Sequence, residues 1–325
     1  MDFDNGIKSC EFTQAKAKAV IDEISKVVVG QYEFIEQLVV VLLAGGHVLI
    51  EGVPGLAKTL AAKVMAKTVK AEFKRVQFTP DLMPADITGT KVYDTKTANF
   101  FMKKGPLFTN IFLADEINRT PPKTQAALLE SMEERAITID GETYKLEDPF
   151  MVVATQNPVE YEGTYPLPEA QLDRFMMKLV VDYVPQKFEN MVLEKYKYGF
   201  SSSNLETIEV NKVCDYEDIK KCREEILSVE VNEGIINYIT SIVRATRNSP
   251  SLILGGSPRA SIALLLTSKA MAAIQGRTFV TPEDVKELAL PVLRHRVMLR
   301  PEVGIDGLKN DDVIRNILGK VEVPR

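Results

Sequence analysis

"HVLIEGVPGLAKT", residues His47 to Thr59, decides how the rest of the chain is read. An apolar run ending at Ile50 leads into a turn containing Gly52 and Gly55, and the helix-forming stretch "TLAAKVMAKTVK" leaves it. A strand-to-helix turn of this kind aims backbone N–H groups and a helix dipole at a phosphate. The spacing fits G-x-x-x-x-[GA]-K-[ST], with Ala57 standing before Lys58 where glycine is usual. Such a match arises by chance in about one chain of this length in forty, from average residue frequencies. The flanking strand and helix therefore carry more weight than the pattern itself. In this reading Lys58 reaches the β- and γ-phosphates and the Thr59 hydroxyl ligates Mg²⁺. Ala57 is expected to open the helix with right-handed dihedrals, because a left-handed alanine costs about 1–2 kcal/mol.

The surrounding chemistry is sparse. Only two histidines (His47, His295) and three cysteines (Cys10, Cys214, Cys222) occur, with no C-x-x-C pair and no G-x-S-x-G elbow. A zinc site, a catalytic triad and a disulfide framework all lack their residues. Both histidines read as structural and the thiols as reduced. Net charge is −5, so no bulk cationic field draws nucleic acid or anionic lipid. The longest apolar run, Val39 to Ile50, is too short for a membrane span. "MDFDNGIKSC" has no apolar core and reads as no secretory signal. A cytoplasmic protein is expected.

Outward from the loop, apolar runs alternate with helical patterns. Residues 12–27 and 31–44 read as amphipathic helices ahead of "HVLIEG". "FKRVQF", "IFLADE", "FMVVATQN" and "FMMKLVVDY" read as strands, and "PKTQAALLESMEER" as a helix with proline at its start. Strands apolar on both faces and interleaved with helices imply a parallel sheet covered on both sides. "RAITIDGETYKLEDP" alternates on either side of Asp140-Gly141, a β-hairpin signal. Beyond residue 185 only helical periodicity is visible, over 187–198, 216–228, 232–248, 258–275 and 282–293, punctuated by "FSSSN" and "SLILGGSP". The expected architecture is α/β over 1–185, with an all-helical domain over 186–325.

Four further segments bear on chemistry. "NIFLADEINR" ends a buried strand in Asp115-Glu116, at the sheet edge where open α/β sheets bind ligands. An unpaired buried carboxylate is expensive. A phosphate-bound Mg²⁺ would partner Asp115, leaving Glu116 to polarise a water for attack on the γ-phosphate. "VVATQNP" ends a strand in Gln156-Asn157, where an amide could hold that water, although Asn157 reads equally well as a turn residue. In "EAQLDRFMMK", Arg174 closes a short helix and gains meaning only if a neighbouring subunit's nucleotide lies within reach. In "GGSPRAS", Ser257 caps a helix with Pro258 at its first position. Arg259 then sits in a first turn where a cation is disfavoured, which suggests contact with a phosphate.

In this order the segments resemble the AAA+ ATPases, and among them the MoxR family, over nearly the whole chain from "VVVGQ" to "LRHRVMLRPE". The most telling stretches are "GGHVLIEGVPGLAKT", "FTPDLMPADITG", "LADEINRTPPKTQAALLESMEER", "VVATQNPVEYEGTYPLPEAQLDRF" and "GGSPRA". The resemblance implies a P-loop AAA+ core with a central parallel sheet and a C-terminal helical lid. It implies a helix-2 insertion near 79–107 and a pre-sensor-1 hairpin near 135–148. ATP would be held by Gly52, Val53, Pro54, Gly55, Leu56, Ala57, Lys58, Thr59 and Leu60, with Gly30 and Gln31 beside the adenine. Thr59 and Asp115 would hold Mg²⁺, and Glu116 would drive hydrolysis. Asn157 would be sensor 1, Arg174 the arginine finger acting on the next subunit, and Arg259 sensor 2. The family further implies hexameric rings that remodel, activate or assemble protein clients, often von Willebrand factor A-domain proteins.

Two other functions share much of this reading. A DNA-remodelling motor would use the 135–148 hairpin as a wedge, but that segment is rich in acidic residues and suits phosphate tracking poorly. A nucleotide-regulated scaffold with little hydrolysis would have no use for Glu116 or Arg174.

Overall fold

A computed structural model of the chain describes residues 9–158, 163–201, 210–305 and 307–324. Most of "FSSSN" and part of the "VVATQNPVEYEGTYPLPEAQLDRF" segment lie outside the described residues. The chain opens with α1 (Glu11–Ser25) and α2 (Tyr32–Ala44), then β1 (Val48–Glu51), α3 (Lys58–Thr68) and β2 (Phe73–Gln77). Next come α4 (Pro84–Thr88), the hairpin β3 (Gly89–Asp94) and β4 (Asn99–Lys104), then β5 (Ile111–Asp115) and α5 (Pro122–Glu134). A second hairpin, β6 (Ala136–Ile139) and β7 (Glu142–Lys145), precedes β8 (Met151–Gln156), α6 (Glu169–Leu172) and β9 (Met177–Val180). The remainder is α7 (Gln186–Lys197), α8 (Tyr216–Ser228), α9 (Glu233–Arg247), β10 (Leu252–Leu254), α10 (Pro258–Ile274) and α11 (Pro282–Leu293). It finishes with β11 (Met298–Leu299), α12 (Pro301–Ile305) and α13 (Asn310–Lys320).

Five strands form one sheet in the order β2-β5-β8-β1-β9, every pair parallel. The continuous apolar runs of β1, β5 and β8 are divided by the two-residue period of a strand. Ile111, Leu113, Met151, Val153, Val48 and Ile50 enter one buried cluster, which continues through α1, α2 and α3 into the C-terminal helices. Phe112, Ala114, Val152, Ala154 and Leu49 point the other way, onto Phe78, Ile87, Leu128, Phe150 and Phe175. The hairpin over 136–145 is present, and both Asp140 and Gly141 have positive φ (49° and 81°), as a two-residue I′ turn requires. Residues 79–107 contain α4 and the β3–β4 hairpin, and Lys91 joins that hairpin to the second one through Glu142 at 2.7 Å.

The expectation of an all-helical C-terminal part needs amending. β10 and β11 pair antiparallel there. Strands of three and two residues are too short to declare a period, and Leu252–Leu254 lies within the "SLILGGSP" punctuation between helices. α12 and α13, both brief, lie beyond the helices that the periodicity predicts. Among the described residues no helix is long and apolar enough to cross a membrane.

Both histidines are structural. His47 accepts from the Val152 N–H at Nδ1 (3.0 Å), so its proton sits on Nε2 and donates to the Met132 carbonyl at 3.2 Å. Burial pushes its pKa down to about 4. Unfolded histidine binds a proton below about 6.5, the buried ring only near 4, so stability is complete above pH 6.5 and is lost as the pH falls between these values. Linkage gives about 2 kcal/mol lost from this ring between pH 7 and 5. Urea midpoints at the two pH values should show it, and His47→Gln, which keeps a donor and an acceptor, should fall less steeply. Equal slopes would remove His47 as the cause.

Candidate active site

Because the strands are parallel, their C-terminal ends share one edge. The loop after β1, Asp115-Glu116 after β5, and Gln156-Asn157 after β8 meet there around a cavity of about 990 Å³. Pro54, Gly55, Leu56, Ala57, Lys58, Thr59 and Leu60 line it, together with Asp115, Glu116, Thr155 and Asn157. Gly52 and Val53 do not line it, although the Gly52 carbonyl accepts from Lys58 Nζ.

Ala57 contradicts its expectation. It is left-handed, at φ 58° and ψ 17°, and α3 begins one residue later, at Lys58. The chain has to reverse sharply between Gly55 and Lys58 to present the helix end to the cavity, and Ala57 completes that turn outside the helix. A Cβ in this region costs about 1–2 kcal/mol. Strain of this size persists where the surrounding structure imposes it, commonly at ligand-binding turns. No side chain among the described residues caps the start of α3. Its first-turn N–H groups therefore suit an anion.

The acidic pair is arranged differently from the sequence argument. Asp115 already has a cation, since Arg75 of β2 reaches its Oδ2 from Nη2 at 2.7 Å and from Nε at 2.9 Å. Thr155 Oγ1 donates to Oδ1 at 2.6 Å. Burial cost alone thus does not demand a metal beside Asp115. The donor set still fits one, because Thr59 Oγ1 lies 3.4 Å from Asp115 Oδ2, a hydroxyl and a carboxylate of the hard-oxygen kind Mg²⁺ takes. Glu116 is itself left-handed (φ 58°), and its N–H donates to Thr155 Oγ1 at 2.9 Å. Its carboxylate accepts from Gln77 Nε2 at 2.6 Å and faces Arg119 at 3.2 Å. Gln77 in turn accepts from Arg75 at 2.7 Å, so the two carboxylates are linked across β2. The Gln156 amide turns away to Glu51, so of this pair it is buried Asn157 that lines the cavity.

The far wall is apolar and was missing from the sequence reading. Val27, Val28 and Val29 form one side, and Tyr183, Val192, Leu193, Tyr196 and Phe200 the other. α7 has no buried residue, yet Glu189, Val192, Leu193 and Tyr196 follow helical spacing and all face the cavity. An apolar stripe that covers no core was the available signal. A cavity charged at one end and apolar at the other matches a nucleoside triphosphate. Gln31 lines it and donates to the Leu56 carbonyl at 3.3 Å. Gly30 lines the neighbouring cavity instead, and at φ 79° lets Phe188 approach so closely that a Cβ would lie 2.5 Å from its ring.

Arg174 and Arg259 are not at this edge. Arg174 lies two residues before Met176, whose N–H bonds the His47 carbonyl at the start of β1. His47 also touches Met132, beside Glu133. Arg174 faces Glu133 Oε2 at 3.8 Å, and Arg259 donates to its Oε1 at 2.6 Å. Both arginines therefore occupy the N-terminal edge of the sheet, a strand length of about 13 Å from the loop. The expected contact of Arg259 with phosphate is not made within the chain. Glu133 supplies the charge that offsets its unfavourable place in the helix dipole.

The cavity edge is the kind P-loop ATPases use for a nucleoside triphosphate, and known proteins narrow the class. The sequence model of the ATPase family associated with various cellular activities (AAA) matches residues 47–177, and that of the AAA lid domain residues 244–317. The Bacillus subtilis protein YeaC is 48% identical over 304 residues, covering 94% of this chain and 93% of the relative. The Mycobacterium tuberculosis protein named Chaperone MoxR1 is 40% identical over 314 residues, covering 94% and 81%. A crystal structure from Cytophaga hutchinsonii superposes with a TM-score of 0.88 at 44% identity, covering 97% of each chain. The chain belongs to the MoxR family of AAA+ ATPases.

Proposed function

We propose that the protein hydrolyses Mg-ATP at a site completed by neighbouring copies of the chain, and that the cycle remodels, activates or assembles partner proteins. The observation that carries this reading is the division of charged groups between two edges of one sheet. The cavity edge holds the phosphate loop, Asp115, Glu116 and Asn157. The opposite edge presents Arg174 and Arg259, about 13 Å or more from their own loop and joined through Glu133. Head-to-tail packing would set the arginine edge of one subunit against the cavity of the next, and such contacts form a ring where the rotation between subunits closes.

Each residue then has a task. Lys58 and the first-turn amides of α3 hold phosphate, while Gln31, the Val27–Val29 strip and the α7 stripe enclose the base. Thr59 and Asp115 would hold Mg²⁺, which when bound neutralises charge on the phosphates. Glu116 takes a proton from a water that Asn157 helps place, and Arg174 of the neighbour meets the charge that develops on the γ-phosphate. A hexamer, a von Willebrand factor A-domain client and a cytoplasmic setting follow from family resemblance and belong to the same proposal. The relative named Chaperone MoxR1 supports protein partners.

Phosphate release from Mg-ATP by the purified protein tests this reading. Activity per subunit should rise with protein concentration as neighbours assemble, and should vanish on chelation of the metal. Activity per subunit that is constant on dilution to the monomer would contradict a shared site.

A further inference from the structure

One buried arginine stands outside everything assigned so far. Arg296 follows α11, and its side chain is only 3% exposed. All five of its N–H groups are used, and four of the acceptors belong to residues 173–176, the segment that carries Arg174. Nε donates to Asp173 Oδ1 at 2.6 Å, and Nη2 to the carbonyls of Asp173 at 3.2 Å and Phe175 at 2.7 Å. Nη1 donates to the Met176 carbonyl at 3.0 Å and to that of Val292, in the last turn of the preceding α11. The neighbouring His295 donates Nε2 to the Phe175 carbonyl at 2.9 Å.

The same carboxylate reaches the second arginine. Ser257, the cap of α10, donates to Asp173 Oδ2 at 2.7 Å and accepts from the Arg259 N–H at 3.1 Å. Arg296, Asp173 and Ser257 thus form one rigid bracket with Arg174 on one arm and Arg259 on the other, and both arms end on Glu133. Stability alone is a poor reason for such a bracket. A buried ion pair is often no more stabilising than a packed apolar pair, because both charges must be stripped of water. What a saturated guanidinium supplies is geometry, since its planar fork accepts only one arrangement of partners.

We propose that Arg296 is a positioning residue for ATP hydrolysis: through Asp173 it fixes the finger segment to the helical lid, so that Arg174 and Arg259 reach the neighbouring subunit's nucleotide as one unit. This rests on the shared-site reading above. Arg296 touches no nucleotide, so its loss should spare the variant's own phosphate loop and damage only what it presents to its neighbour. A finger misplaced by about 1 Å costs on the order of 100-fold in rate.

The test is ATPase activity of mixed oligomers of the full chain. Arg296→Met alone should hydrolyse about 100-fold more slowly while binding a fluorescent ATP analogue within about twofold of wild type. Mixed 1:1 with Glu116→Gln, whose arginines are intact, it should recover about one quarter of wild-type activity, the fraction of head-to-tail interfaces pairing a good loop with a good finger. A subunit that is merely misfolded gains nothing from mixing. Asp173→Asn, which keeps the shape of the side chain, should behave alike with a smaller loss and guards against a folding failure of Arg296→Met. Wild-type hydrolysis by either variant overturns the proposal. So does failure of both mixtures while Arg174→Ala mixed with Glu116→Gln recovers. If the Arg174→Ala mixture also fails, the shared site is wrong and the bracket has no finger to position.

Discussion

Arg174→Ala should bind Mg-ATP normally and hydrolyse it about 1,000-fold more slowly, the lower end of the effect of an arginine that neutralises transition-state charge in phosphoryl transfer. That factor is about 4 kcal/mol of transition-state stabilisation. Binding should survive because Arg174 sits at the far edge of the sheet, beside the start of β1, and lines no part of the cavity. Folding should survive because the side chain is about one-third exposed and its partner Glu133 keeps Arg259. Rapid-quench hydrolysis and equilibrium binding separate the two quantities. A parallel loss of affinity and rate would instead place Arg174 in its own subunit's site.

Glu116→Gln should lower hydrolysis by about 100- to 10,000-fold, the span attributed to a positioned general base. The amide keeps the volume of the carboxylate and its place between Gln77 and Arg119, but cannot take the proton of the attacking water. Affinity for ATP should change little, because Lys58, Thr59 and the α3 amides are untouched. The variant should therefore accumulate in an ATP-bound, assembled form. Unchanged hydrolysis would show that the base lies elsewhere.

The sequence disclosed what is local or periodic and withheld what depends on how elements meet. Asp140-Gly141 announced its hairpin because a two-residue turn with both φ positive is met by that pair with little help. β1, β5 and β8 were visible because burial on both faces leaves few polar interruptions. Ala57 was misread for a related reason. Helix propensity argues for right-handed backbone at alanine, and here the tertiary turn overrides it. Arg75 could not be paired with Asp115 from spacing, since the contact depends on β2 lying next to β5. The apolar stripe of α7 was visible as a helix but not as a cavity wall. Arg259 is the sharpest case: its oddity in the first turn of α10 was legible, while the edge of the sheet it would face was not.

Mixing Glu116→Gln with Arg174→Ala tests the central claim most directly. Each variant alone should be nearly inactive. A 1:1 mixture should regain about one quarter of wild-type phosphate release, since one interface in four joins an intact Glu116 site to an intact Arg174. A mixture no faster than the two inactive parents would contradict a site shared between subunits.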